Sequence, residues 1–196
     1  MKLGQQALEA LQAEITGRIY PGDDLVVAGE TGISGTLELI CREWDKLRTY
    51  FSESFLRMGV ETLKNCMISE EDGFWKEAGF SALYFTEEGG ILSGLWKMAE
   101  ASGVGLEVDL RSVPIRQETI EICEIFDVNP YKLMSGGSVL LGIQGGDAFV
   151  QELRREGIMA AVIGQTNSGN ARLLYSGGNA RYLERPGNDV MQKRGK

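Results

Sequence analysis

Glu87-Glu88-Gly89-Gly90-Ile91 opens an apolar run, Ile91, Leu92, Leu95, Trp96, Met98 and Ala99, that stops at Ser102-Gly103. Ile91, Leu95, Met98 and Ala99 stand at the spacings that share one helical face. Gly103 supplies the left-handed residue that ends such a helix. Beyond it, Val104, Leu106, Val108 and Leu110 alternate with Gly105, Glu107 and Asp109, the pattern of a strand with one buried face. Two glycines at a helix start leave backbone N–H groups uncovered by side chains. Those donors have no partner inside the helix and the dipole favours negative charge, so the end can hold an anion.

Upstream, residues 5–18 read as a helix with Leu8, Leu11 and Ile15 inward, followed by a turn at Pro21-Gly22-Asp23-Asp24 and a short buried strand at Leu25–Ala28. Gly29, Gly32 and Gly35 space a loop into a helix carrying Leu37, Ile40, Cys41, Trp44, Leu47 and Phe51. This order suggests nucleotide binding, but the glycine spacing fits neither the dinucleotide fingerprint nor the P-loop. Another helix covers Glu53 to about Asn65, and Ser69-Glu70-Glu71-Asp72-Gly73 is an acidic, solvated break.

Downstream, Pro114 is expected to start a helix that reaches Phe126, with Asn129-Pro130 beginning one further turn. Ser135-Gly136-Gly137-Ser138 precedes a strand at Val139–Ile143, and Gly145-Gly146-Asp147 opens a helix to Glu156. Strands follow at 158–163 and 171–175, and Ser176-Gly177-Gly178-Asn179 turns into a last strand near 180–183. Helices between strands cover a sheet, and the final hairpin excludes an all-parallel arrangement. The expected fold is α+β, three layers in the order α/β/α around one mixed sheet.

The 196 residues are 43% hydrophobic, enough for one core. A net charge of −8 opposes general binding to nucleic acid or to an anionic membrane surface. No run approaches the ~20 apolar residues of a membrane span, and a cytoplasmic location is expected. There are three Cys and no His, which excludes the common triads and most zinc sites. Cys41 and Cys123 fall on apolar helical faces and are expected to be buried free thiols. No metal ligands are expected.

Thr86-Glu87-Glu88-Gly89-Gly90-Ile91, with Met98-Ala99-Glu100-Ala101-Ser102-Gly103-Val104-Gly105-Leu106-Glu107-Val108-Asp109, resembles the C-terminal domain of the AIR synthase-related family. Its wording is closest to the carbamoyl-dehydrating hydrogenase maturation factor, and the resemblance runs from about Pro21 to Arg185. It implies a similar fold, a domain over 21–185 preceded by an N-terminal helix in 1–20 and followed by a flexible tail in 186–196, and ATP or phosphate as a ligand; no cofactor is certain. It implies a ligand-binding end made of Glu88, Gly89 and Gly90, with Ser135, Gly136 and Gly137 as a second wall.

The resemblance also marks departures. Where the family carries an Asp and a Thr before the glycine pair, this sequence holds Phe85 and Glu87. Over these 196 residues the resemblance takes in neither the family's N-terminal ATP-binding domain nor the maturation factor's terminal Cys, and both are expected to be missing. The expectation is a diverged, non-catalytic module that binds a small ligand or acts in regulation or assembly, with a degenerate ATP site and no catalytic residue of its own. The alternative is an enzyme subunit of an ATP-dependent maturation system whose ATP-binding domain is a separate chain. Either implies a partner or a homo-oligomer, since a surface adapted to a second domain is apolar.

Overall fold

The computed structural model describes residues 3–69, 71–77 and 79–187. Along the chain these form α1 (Gln5–Ala13), β1 (Thr16–Gly17), β2 (Asp24–Ala28), α2 (Ile33–Arg42), α3 (Trp44–Leu47), α4 (Glu53–Asn65), β3 (Ala82–Phe85) and α5 (Gly90–Ser102). Then come β4 (Gly105–Asp109), α6 (Gln117–Phe126), β5 (Val139–Ile143), α7 (Gly146–Arg155), β6 (Ala160–Asn167), β7 (Arg172–Ser176) and β8 (Asn179–Tyr182). The tail beyond residue 187, and Glu70 of the acidic break, lie outside the described residues.

The strands form one eight-stranded sheet in the order β1-β3-β5-β2-β6-β4-β7-β8. β4 and β7 are parallel, and every other described pair of neighbours is antiparallel. The sheet is therefore mixed. Its two faces can be read from β2, which is buried from Leu25 to Ala28 because both of its sides are covered. Leu25 and Val27 join a core that α5 fills with Ile91, Leu95, Met98 and Ala99 and α1 with Leu11. Val26 and Ala28 face the other way, onto Phe149, Val150 and Leu153 of α7. That gives the three layers. Ile33, Leu39 and Ile40 of α2, Leu56 and Leu63 of α4, and Ile122 and Phe126 of α6 form a separate helical cluster.

The α5 reading holds residue by residue. The helix starts after Gly89 (φ +74°) and ends at Gly103 (φ +70°). Ile91 and Leu95 are wholly buried. Burial of each such side chain stabilises the fold by about 2 kcal/mol.

Five boundaries or placements differ from the sequence reading. The helix read as carrying Leu37 to Phe51 is broken at Glu43, whose backbone is not helical (φ −112°, ψ 25°), into α2 and α3, and Phe51 lies outside both. The first helix stops at Ala13 instead of running to residue 18, because Thr16–Gly17 pairs with Leu83 and Ala82 as an edge strand. Gly17, at φ +80°, permits the backbone to press against the Ser81 carbonyl. Helix α6 begins at Gln117, not Pro114, whose carbonyl is held by both the N–H (2.9 Å) and the hydroxyl (3.2 Å) of Thr31. β6 starts later and runs to Asn167 because it spans two partners, β2 and β4. Cys123 is buried, but Cys41 is exposed. The inward face of α2 is Ile33, Thr36, Leu39 and Ile40, and the residue after Ile40 turns about 100° away from it.

Candidate functional site: the loop end of the sheet

Antiparallel pairing brings several chain breaks to one end of the sheet. Ala28 pairs with both Val139 and Ala160, and Phe85 pairs with Val139. The segments after β2 and β3 and before β5 and β6 therefore meet there. They carry Gly29–Ser34, Thr86–Gly90, Ser135–Ser138 and Ile158–Met159.

The two walls expected from sequence are adjacent. The Ser135 N–H donates to the Glu87 carbonyl at 3.1 Å, and the Thr86 N–H to the Ser138 carbonyl at 3.1 Å. Thr86, only 1% exposed, places its hydroxyl 2.8 Å from the Ser135 carbonyl and 2.6 Å from Ser138 Oγ. Ser135 Oγ accepts from the Gly32 N–H at 2.9 Å and donates to the Leu133 carbonyl at 2.8 Å. Thr86 and Ser135 thus tie three loops together. Sequence pattern alone misses Thr86, because its partners lie about fifty residues away.

Gly90 is buried while Glu87 and Glu88 are exposed. The Gly90 N–H is taken by the Glu87 carbonyl at 3.2 Å, and no hydrogen bond engages the N–H groups of Ile91 or Leu92 among the described residues. Donors therefore remain at this end. The space in front of Gly90 is filled, however: a Cβ there would lie 2.6 Å from the Tyr131 carbonyl oxygen and 2.5 Å from that of Leu133. With carbonyl oxygens against Gly90 and the acidic Glu87 and Glu88 next to it in sequence, the fit to a phosphate is poor, because like-signed groups oppose the dipole. Among the described residues Ser34 Oγ is buried without a hydrogen-bond partner, and a Cβ at Gly136 would come within 3.1 Å of it.

Phe85 is half-buried and meets Trp75 edge-on, with ring centroids 5.1 Å apart at 81°. Trp75 meets Phe74 in the same way at 4.6 Å, and Phe74 lies near Phe149 of α7. The position is an aromatic packing site.

Beside this end lies an open cleft of about 740 Å³, lined in part by Glu30, Cys66, Met67, Arg116, Arg154 and Met159. None of Glu88, Gly89, Gly90, Ser135, Gly136 or Gly137 lines it. Arg116 donates to Glu30 at 2.9 Å and to Glu118 at 3.2 Å. Burial alone would lower the Arg116 pKa, but these bonds outweigh it and raise it. Cys66 Sγ sits 3.4 Å from Arg116, and burial still pushes its thiol above the ordinary range, only partly opposed by the guanidinium. An ion pair between the residue that precedes α6 and the loop after β2 leaves no local trace in sequence. Among the described residues no group of three or more His, Cys, Asp or Glu could hold a metal ion, and no helix is long and apolar enough to cross a membrane.

Residues 88–175 match the family model described as AIR synthase related protein, C-terminal domain. The match begins at Glu88 and takes in α5, the Ser135–Ser138 loop and β4 to β7. This segment belongs to the AIR synthase-related C-terminal domain family. Carbamoyl dehydratase HypE of Rhodobacter capsulatus is 28% identical over 175 residues, which cover 86% of this chain and 49% of that protein. The chain thus spans about half the length of this curated relative. The solved E. coli hydrogenase maturation protein HypE superposes with a TM-score of 0.66 at 22% identity, over 88% of this chain and 52% of its own. HypE as seen in a HypE–HypF complex gives 0.63 at 19%, over 86% and 54%. The chain is HypE-like in sequence and in fold.

Proposed function

We propose that this chain is a binding and assembly module of the hydrogenase-maturation type, without turnover of its own. Its ligand-facing surface is the loop end of the sheet at Glu88, Gly89, Gly90, Ser135, Gly136 and Gly137. Phe85 carries this reading. At the position where the resemblance implies a carboxylate, a phenyl ring packs edge-on against Trp75. A phenyl ring neither coordinates magnesium nor accepts a proton. The unengaged N–H groups of Ile91 and Leu92 and the unpartnered Ser34 hydroxyl support binding there. Glu87, Glu88 and the carbonyls of Tyr131 and Leu133 keep the affinity for anions low. A solved HypE forms a complex with HypF, and docking onto a partner protein is the assembly role we assign by that likeness.

The test is ATP turnover by the purified chain. Phosphate release at the level of heat-inactivated protein is expected. Release above it sinks the proposal. Release that appears only when a separate ATP-binding chain is added establishes the alternative, a split enzyme.

A further inference from the structure

We propose that the outer edge of β8 is a docking site for an extended acidic segment of another protein, which adds to the sheet as a ninth strand. The site is distinct from the loop end and does not depend on its reading.

The two edges of this sheet are built differently. β1 is two residues long, and its Gly17 lies under the Ser81 carbonyl, so it offers little to a further strand. β8 is four residues long, every one of them exposed, and Tyr182 is 72% exposed. Among the described residues nothing pairs with its outer side.

Its hydrogen-bonding parity is fixed. The Leu183 N–H donates to the Arg172 carbonyl at 2.8 Å. In an antiparallel pair inward and outward residues alternate, so Asn179, Arg181 and Leu183 bond to β7. Ala180 and Tyr182 turn their N–H and C=O groups outward, a ready template for a strand.

Charge selects the occupant. Arg181 pairs with Leu174, which belongs to the core under α5, and Leu183 lies in the same core. Arg181, Leu183 and Arg185 therefore share one face, and the Arg185 guanidinium stands 5.6 Å from the centre of Trp96. Neither arginine is in an ion pair among the described residues. Glu184 falls on the opposite face by the strand alternation, so on a chain of net charge −8 the face with Arg181 and Arg185 is locally basic. A second copy of β8 would bring Arg181 and Arg185 against their own counterparts, and like charges across a ladder are unfavourable. A strand with carboxylates on that face is favoured instead.

The experiment titrates the full chain with a synthetic peptide of alternating Asp/Glu and Val/Thr, and with the same peptide carrying Lys for the acids, followed by amide shifts. The acidic peptide is expected to move Ala180 and Tyr182 first and to weaken as salt rises. Ala180→Pro removes one outward donor without touching the β7 ladder, a placement an edge strand tolerates. It should weaken binding about tenfold while the β4 and β7 amides keep their shifts. Arg181→Glu with Arg185→Glu should abolish preference for the acidic peptide. Equal binding of the Lys peptide, indifference to Ala180→Pro, or no shift at millimolar peptide overturns the proposal. So does an Ala180 amide already protected from exchange in the free chain, which would mean that a second copy or the chain itself covers the edge.

Discussion

Helices α5 and α7 both start on two glycines, and in both the first glycine is left-handed: Gly89 at φ +74° and Gly145 at φ +75°. Their surroundings differ. At α7 the first N–H, that of Gly146, donates to Asp24 Oδ2 at 2.8 Å, and a Cβ on Gly145 would meet nothing within 4 Å. At α5 the second glycine is also left-handed, φ +65°, and lies directly on the Tyr131–Leu133 backbone. A glycine pair thus marks where a helix begins. What occupies the space in front of it depends on segments far away in sequence: β2 for α7, and the 3₁₀ turn at Pro130–Lys132 for α5.

Three substitutions probe this contrast by chemical denaturation, in order of expected effect. Gly90→Ala adds both left-handed strain and a clash with two carbonyls, so a loss of about 3 kcal/mol is expected. A loss below about 1 kcal/mol would show that the α5 start is loose and open. Gly145→Ala meets only the backbone strain, about 1 kcal/mol. A loss equal to that of Gly90→Ala would erase the difference between the two helices. Asp24→Asn keeps an acceptor for Gly146 but removes the charge at the α7 end, and about 0.5 kcal/mol is expected. A loss above about 2 kcal/mol would mean that Asp24 holds more than that cap.

Much of this fold is legible in sequence. The α5–β4 stretch carries both periods and its own stop signal, and α4 is read to its ends, where the structure shows Ser52 Oγ accepting the Phe55 N–H. Errors arise where a distant partner overrides local preference. Thr16–Gly17 leaves the helix to pair with β3, and Pro114 is held extended by Thr31. The site is less legible. The glycines, Ser135 and Glu88 stand out in the sequence only as candidates, and Thr86, Ser34 and the Glu30–Arg116 pair act through contacts that no periodicity encodes. Thiol labelling separates the two helical cysteines that pattern alone treats alike. Exposed Cys41 is expected to react first, and Cys123, whose thiol burial pushes up to about 12, last. Equal rates would show that α2 is phased as its sequence suggests.

The central claim is that the loop end of the sheet recognises without turning over. It is tested most directly by adding ATP with magnesium to the purified chain and following phosphorus signals and protein amides in one sample. The account predicts small shifts at Glu88–Gly90 and Ser135–Gly137 at millimolar ATP, with the ATP signals undiminished over hours. Growth of inorganic phosphate above a heat-inactivated control would contradict it.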